Sequence, residues 1–336
     1  MATIKDVAKL AGVSVTTVSI IINGKSQERK ISSVTQSRVL DAMRELGYQP
    51  NLSARRLRYQ DSRRPVIAFF WPIDYRTAIL ASFLNSLQLE INRLQFDCEL
   101  VVQTYENDKL EQYSSSIIKN GYNGIIIGAC SKKDLEYLEQ LAPRMPLVLI
   151  NRYSEHFSTV CTDQKEIGLQ VASLFRRKGY TEAGVIASEH SYVATGLRTQ
   201  AFLNACSQLG ISVSADCIIK QSSTIEGGYL AGQSFCRLPD RPKVLFCDSD
   251  ILALGILRCF HEKGIRIPED AELITIAMLE RDHVKYSIPS LSAVEMPNRE
   301  IGKEIIDILM DKISNNDLEP NHVIIDAPIV LRESFS

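Results

Sequence analysis

Apolar side chains recur at helical spacing through the first fifty residues. Ile4, Val7, Ala8 and Ala11 fall at i, i+3, i+4 and i+7, which makes one side of a short helix apolar. Thr3, with Asp6 three positions on, resembles a capping box at its start. Gly12 then breaks the helix where the chain must turn sharply. Ser14 is a natural N-cap for a second helix running to about Asn23. In that helix Val18 and Ile22 face the first, while Val15, Thr16, Ser19 and Ile20 turn outward. A third helix at 33–46 sets Val39, Leu40, Met43 and Leu46 on one face, with Gln36 three positions after a Ser33 cap and Gly47 just past its end. Two short helices joined by a tight Gly-containing turn predict a helix-turn-helix; from spacing alone an ordinary helical hairpin fits as well.

From Pro65 the pattern changes to short apolar runs alternating with amphipathic stretches. Strands are predicted at 66–71, 98–103, 124–128 and 147–150, with helices such as 78–94 and 109–120 between them. After a strand at 159–162 the rhythm restarts: helix 165–177, strand 183–187, helix 197–209, strand 217–220. It continues with helix 226–235, strand 244–247, helix 251–263 and strand 273–276. Two successive βαβα series imply two parallel-sheet lobes, each with helices on both faces.

Charge separates the two regions further. Residues 1–64 hold 12 Lys or Arg against 5 Asp or Glu, a net of +7; the 336-residue chain is −2, so residues 65–336 carry −9. A basic head on an acidic body is the electrostatic footprint of a nucleic-acid-binding module with a separate regulatory body. The composition, 45% hydrophobic and 23% charged, is ordinary for a soluble chain with a sizeable core. No basic start leads into an apolar leader, and no run approaches the roughly eighteen apolar residues of a spanning helix, so a cytoplasmic location is expected. Eight scattered cysteines (98, 130, 161, 206, 217, 236, 247, 259), with no Cys-x-x-Cys pair, are expected as buried thiols. No metal or other cofactor is expected.

Longer motifs are more specific. The run Ala-Thr-Ile-Lys-Asp-Val-Ala-Lys-Leu-Ala-Gly-Val-Ser at 2–14, then Thr17-Val-Ser19, Ile22-Asn-Gly24 and Gly47-Tyr-Gln-Pro-Asn51-Leu-Ser-Ala-Arg55-Arg-Leu57, resembles the head of the lactose-repressor (LacI) family of bacterial transcription regulators. The resemblance covers the whole head. It implies an all-α helix-turn-helix head at 1–48, a hinge helix and linker at 49–64, and a two-lobed α/β body at 65–336. That body resembles periplasmic sugar-binding proteins, with parallel sheets and a ligand cleft between the lobes. The family also implies the lobe crossings, which strand counting cannot assign. Lobe one is expected at about 65–161 and 292–320, lobe two at about 162–291 and 321–336, with helix 299–313 in the first and 322–326 returning to the second.

The implied function is a homodimeric repressor on a near-palindromic DNA operator. Thr3, Ser14, Val15, Thr16, Thr17, Ser19, Ile20 and Asn23 are the expected contacts of the head, with Val15, Thr16 and Ile20 reading major-groove edges. A hinge helix at 51–58 is too short to be stable alone. It is expected to order only against a twin and a minor groove, through Asn51, Ala54, Arg55 and Arg58, with Leu57 wedged between base pairs. Without the family, the same stretch reads as a solvated basic tether. No heptad repeat closes the chain, which favours a dimer over a tetramer.

The expected effector is a small molecule, a sugar or related metabolite, bound between the lobes. Arg198, Thr199, Gln200, Ala201 and Phe202 resemble the family's Arg-x-x-Gly-Phe segment, with Ala201 where Gly is usual; its arginine would donate paired hydrogen bonds to the effector. Ser249 and Asp250 resemble the family's Asn-Asp pair, and Asp163 occupies a slot that often touches effector, although both acids also suit helix capping. Trp71 and Tyr75 are candidate aromatic surfaces. Two departures weaken any expectation of a sugar: Ala277 stands in the Gly-aromatic-Asp segment, whose acid Glu280 or Asp282 could replace, and Ser223 stands where an aromatic is common. A body receiving a phosphorylated partner protein is the second reading, separated from the first by whether purified protein binds operator unaided. An enzyme using Asp248 and Asp250 as a metal-binding acidic pair is the remote one, with no phosphate-cradling loop, Gly-x-Ser-x-Gly or His-x-x-x-His pair to support it.

Overall fold

The computed structural model describes residues 4–22, 26, 29, 31–46, 64–74, 76–119, 121–141, 145–189, 193–278 and 281–336. Thr3, Asn23, Gly47 and the hinge residues Asn51, Ala54, Arg55, Leu57 and Arg58 lie outside them. Two units separate by their internal contacts: residues 1–63 with 115–121, and residues 64–114 with 122–336.

The head contains α1 (Ile4–Ala11), α2 (Val15–Ile22) and α3 (Ser33–Glu45). Gly12 sits at φ +63°, a left-handed position that ends α1. There its N–H reaches Lys9 O at 3.4 Å, and Val13 N–H reaches Ala8 O at 3.0 Å. Ser14 Oγ accepts from Thr17 N–H at 3.0 Å and so caps α2. The core consists of Val7, Ala8, Ala11, Val18, Ile21, Val39 and Ala42.

Ile21, one helical turn on from Val18, is buried, and the side chain of Ile22, expected in the core, lies outside what is described. Two local expectations shift. Ser32, not Ser33, caps α3 by accepting from Thr35 N–H at 3.3 Å, and Gln36 Nε2 donates to Ile31 O at 2.9 Å. Leu40 is exposed and Ala42 is buried, because a core built around Ala8 and Ala11 selects for size as well as apolarity.

In the body, the first sheet has the order β11-β5-β4-β3-β1-β2 and is wholly parallel. Its strands are β1 (Val66–Pro72), β2 (Glu99–Tyr105), β3 (Gly124–Gly128), β4 (Leu147–Ile150), β5 (Ser158–Cys161) and β11 (His322–Ile324). The second has the order β12-β10-β9-β8-β6-β7. It comprises β6 (Gly184–Ser188), β7 (Ile218–Gln221), β8 (Val244–Cys247), β9 (Glu272–Ala277), β10 (Ser292–Glu295) and an antiparallel β12 (Ile329–Val330). The inner strands are buried along their length, as parallel strands covered on both faces must be. Hydrophobic clusters fill the helix–sheet layers of each lobe.

The crossings fall later than expected. β10 pairs with β9 in the second sheet, so the first lobe resumes only with the helix Asn298–Asn315, which packs on the helix Thr77–Arg93. β11 pairs with β5, His322 opposite Thr159, so the stretch expected to rejoin the second lobe belongs to the first. Periodicity identifies a strand but not the sheet it joins. The helix Val193–Gln208 begins a turn before the expected 197, and Lys132–Leu141 is a helix the pattern had not singled out. All eight cysteines are free thiols. No helix of the described residues is long and apolar enough to cross a membrane.

Candidate functional site

Two surfaces carry the candidate residues. On the head, the start of α2 exposes Ser14 and Thr16, while Val15, Thr17, Ser19 and Ile20 are half-buried. Thr17 Oγ1 lies 2.9 Å from Ser14 Oγ, so both hydroxyls are partly committed to the cap. Val15 packs against the head's core and is therefore less outward than expected. What α2 offers outward is a narrow edge of hydroxyl and methyl groups, of a size that fits a major groove.

The second surface follows from sheet topology. In both sheets the strand order reverses beside the first strand, β1 between β2 and β3, and β6 between β7 and β8. Crevices open beyond the carboxyl ends of strands at such points. Here one cavity draws Trp71, Arg76, Asn151 and Arg152 from the first lobe and Arg198 and Met278 from the second. It encloses about 60 Å³, room for roughly four or five waters.

Trp71, near the end of β1, packs against Gly128, where a Cβ would come within 2.3 Å of Cζ3; only glycine leaves space for the indole. Its Nε1–H is buried and has no hydrogen-bond partner among the described residues. Arg76 is held in place from several sides. Its Nε donates to Asp74 Oδ1 at 2.9 Å, its Nη2 to Asp74 Oδ2 at 2.5 Å, and its Nη1 to Ala129 O at 2.5 Å.

Arg152 follows β4 and is 5% exposed. Its Nε and Nη1 donate to Cys130 O and Asn151 O, each at 2.6 Å. Burial pushes its pKa down, and nearby Arg76 adds to the effect; an arginine nonetheless stays charged. Arg198 lies in the second turn of the helix Val193–Gln208 and is 2% exposed. Its Nε donates to Gln164 Oε1 at 2.6 Å, and its Nη1 lies 3.3 Å from Met278 Sδ.

A chain of hydrogen bonds joins the two walls. Gln164 Nε2 donates to Thr162 Oγ1 at 2.5 Å, and Thr162 N–H donates to Asn151 Oδ1 at 3.0 Å. Asn151 takes the left-handed φ of +51° that asparagine tolerates. Asn298 adds another tie, its Nδ2 donating to Ser82 Oγ at 3.2 Å and to Met278 O at 3.3 Å.

Of the candidate effector residues, Trp71 and Arg198 line this cavity. Tyr75 and Glu280 lie outside the described residues. Asp163 is exposed and caps the helix Gln164–Arg177, accepting from Lys165 N–H at 2.8 Å and Glu166 N–H at 3.1 Å. Ser249 is buried at the start of the helix Asp250–Glu262. Asp250 is wholly buried and accepts from Ile251 N–H at 3.0 Å and Met278 N–H at 3.1 Å, which fixes the end of β9. Asp282 is exposed.

Asp248 accepts from Ser188 N–H at 2.9 Å and Ser188 Oγ at 3.2 Å. The acidic pair Asp248/Asp250 is thus spent on internal donors, and the described residues form no metal-binding group. Sequence reasoning missed Arg152, Asn151, Met278 and Asn298. The signal for Arg152 and Asn151 was their place at a parallel strand's carboxyl end.

Comparison with known proteins places both regions of the chain in known families. Residues 3–51 match the family described as bacterial regulatory proteins, lacI family, and residues 152–335 match the periplasmic binding protein-like domain. The HTH-type transcriptional repressor PurR of Mannheimia succiniciproducens is 27% identical over 99% of this chain and 98% of its own. The ribose operon repressor of Haemophilus influenzae is 26% identical over 100% of this chain and 99% of its own. A solved LacI family transcription regulator from Clostridium acetobutylicum is 31% identical, with a TM-score of 0.77, over 80% of this chain and 100% of its own.

Proposed function

The chain belongs to the lacI family of bacterial regulatory proteins and is an effector-controlled, DNA-binding transcriptional repressor, not an enzyme; on that premise we propose how its parts divide the work. A cytoplasmic homodimer sets two heads and two hinges on a near-palindromic operator, and a small metabolite in the interlobe cavity sets the affinity. Val15, Thr16 and Ile20 read base edges, and because two of the three are apolar they suit thymine methyl groups. Thr3, Ser14, Thr17, Ser19 and Asn23 position the head, while Asn51, Ala54, Arg55 and Arg58 hold the hinge and Leu57 wedges the central step.

The observation that carries this reading is a cavity with one wall from each lobe, joined by the chain Asn151–Thr162–Gln164–Arg198. A ligand touching both walls has different contacts when the lobes move, and only such a difference can shift an equilibrium. The relatives' names support a metabolite as effector: one of them is a ribose operon repressor.

Selection of bound sequences from random DNA by the full-length protein, with sedimentation of the complex, tests the head and its symmetry. A two-fold symmetric consensus bound by two chains is expected. An asymmetric single half-site bound by one chain would overturn it.

A further inference from the structure

The polar demand of the cleft is one-sided. Among the described residues that line it, the charged ones are Arg76, Arg152 and Arg198, and none is a carboxylate. Two of the three have acids nearby: Arg76 is ion-paired with Asp74 at 2.5 Å, and Arg198 acts electrostatically on Asp248. Arg152 differs. Its side-chain hydrogen bonds go to the carbonyls Cys130 O and Asn151 O, and it forms no ion pair among the described residues. A buried cation without a counter-charge is costly, and carbonyl dipoles compensate only part of that cost.

A second, independent observation points the same way. The Nε1–H of Trp71, on the same cavity, is the buried side-chain polar atom left without a partner among the described residues. Both unmet groups are donors, and one carries full charge. A hydroxyl of a neutral polyol can accept from the Nε1–H, but it brings no charge and leaves Arg152 without a counter-ion. The remaining wall is mostly apolar, including Ile79, Phe83 and Met296, with the amides of Asn151 and Asn298 as its neutral polar groups.

We propose that the cleft's ligand is a compact organic oxyanion, a carboxylate or a phosphate ester, whose acidic group is received by the Arg152 guanidinium and the Trp71 Nε1–H. This rests on the reading that the interlobe cavity is the effector site. The carbon body lies against Phe83 and the methionines, and the acid group supplies the counter-charge that Arg152 lacks.

Trp71 is the chain's single tryptophan, so its emission reports on this cavity. The full-length protein is titrated with glucose, gluconate, glucose 6-phosphate and inorganic phosphate at constant ionic strength, following emission and operator affinity together. Saturable emission changes are expected from gluconate or glucose 6-phosphate and not from glucose; which anion acts separates carboxylate from phosphate ester. Arg152→Gln should weaken that response roughly tenfold or more, the scale of a lost charge-assisted hydrogen bond. Should that variant not fold, Trp71→Phe, which keeps the ring and deletes the N–H, should weaken anion binding measured by thermal shift.

Saturation by glucose alone overturns the anion while leaving the effector cleft standing. An anion response undiminished in both variants assigns binding elsewhere and also overturns it. Silence of emission and of operator affinity toward every probe at millimolar concentration overturns both readings.

Discussion

Arg198 and Gln164 form one fixed unit, Nε to Oε1 at 2.6 Å, and Gln164 in turn holds Thr162 where the chain passes from the first lobe to the second. Arg198 is therefore part of the hydrogen-bonded path between the two walls of the cleft. Arg198→Ala is expected to abolish the effect of ligand on operator affinity while leaving ligand-free affinity within roughly threefold, since the differential contact is lost and the DNA surface is not. Gln164→Ala should reduce the ligand effect without deleting it. Operator titrations with and without ligand check both, and a fully responsive Arg198→Ala would remove the arginine from the switch.

Gly128 and Trp71 make a steric prediction. A methyl group at 128 would lie 2.3 Å from Trp71 Cζ3 and 2.5 Å from Cε3. Gly128→Ala should displace the indole at a cost of about 1–3 kcal/mol. Urea unfolding and the emission maximum of the single tryptophan read the two consequences separately. An unshifted emission with wild-type stability would mean that the strand moves instead.

Burial pushes the Asp248 carboxyl up to about 6, whereas in the unfolded chain it titrates near 3.8. Between those values the native protein holds a proton that the unfolded chain has lost. The stabilisation is therefore complete below about pH 3.8 and is lost as pH rises through about 6. At about 1.4 kcal/mol per pH unit, the difference amounts to no more than about 3 kcal/mol. Asp248→Asn keeps an acceptor for the Ser188 N–H and cannot titrate. Its stability relative to wild type, measured by denaturant at pH 4 and pH 6.5, should rise by up to that amount, and a constant difference would contradict the assignment.

On the head, Thr16 is exposed and Val15 leans on the core. Thr16→Ala should change which operator is preferred with stability within about 0.5 kcal/mol of wild type. Val15→Ala should change preference and also destabilise the head by roughly 1 kcal/mol. Selection from random DNA and thermal unfolding of each variant separate recognition from packing.

Leu57→Ala keeps helix propensity and removes the wedge. A smaller operator bend and weaker specific binding are expected, with nonspecific binding little changed because phosphate contacts set it. Bend angles measured on operator and on random DNA decide the point.

The sequence is most legible where surroundings repeat with the chain's own period. β3, β4 and β8 coincide with the expected runs because burial on both faces leaves continuous apolar stretches. It is less legible where a tertiary partner decides. Leu40 looks like core until the small residues of α1 and α3 take that space. The stretch 322–326 is expected in the second lobe from the family pattern, but the sheet of β11 is fixed by its pairing with Thr159, far away in sequence. Asp163 and Asp250 read equally as ligand contacts and as caps; in the structure Asp163 caps the helix Gln164–Arg177, and Asp250 accepts from Ile251 and Met278 N–H. Arg152 carries no local sign of burial, which depends on the strand ends gathered around it.

The repeated passage of the chain between lobes bears on how such bodies are inherited. Thr159 and His322, 163 positions apart, share a hydrogen bond of 3.0 Å at the edge of the first sheet. A single genetic crossover within 162–295 would join one parent's first sheet to the other parent's β11 and to its helix Asn298–Asn315. Neither lobe is a continuous block that recombination can trade with one breakpoint. The three helices of the head, all within 4–45, are such a block. One junction after the head therefore trades the whole body, cleft included, whereas a single breakpoint inside the body splits a lobe between two parents.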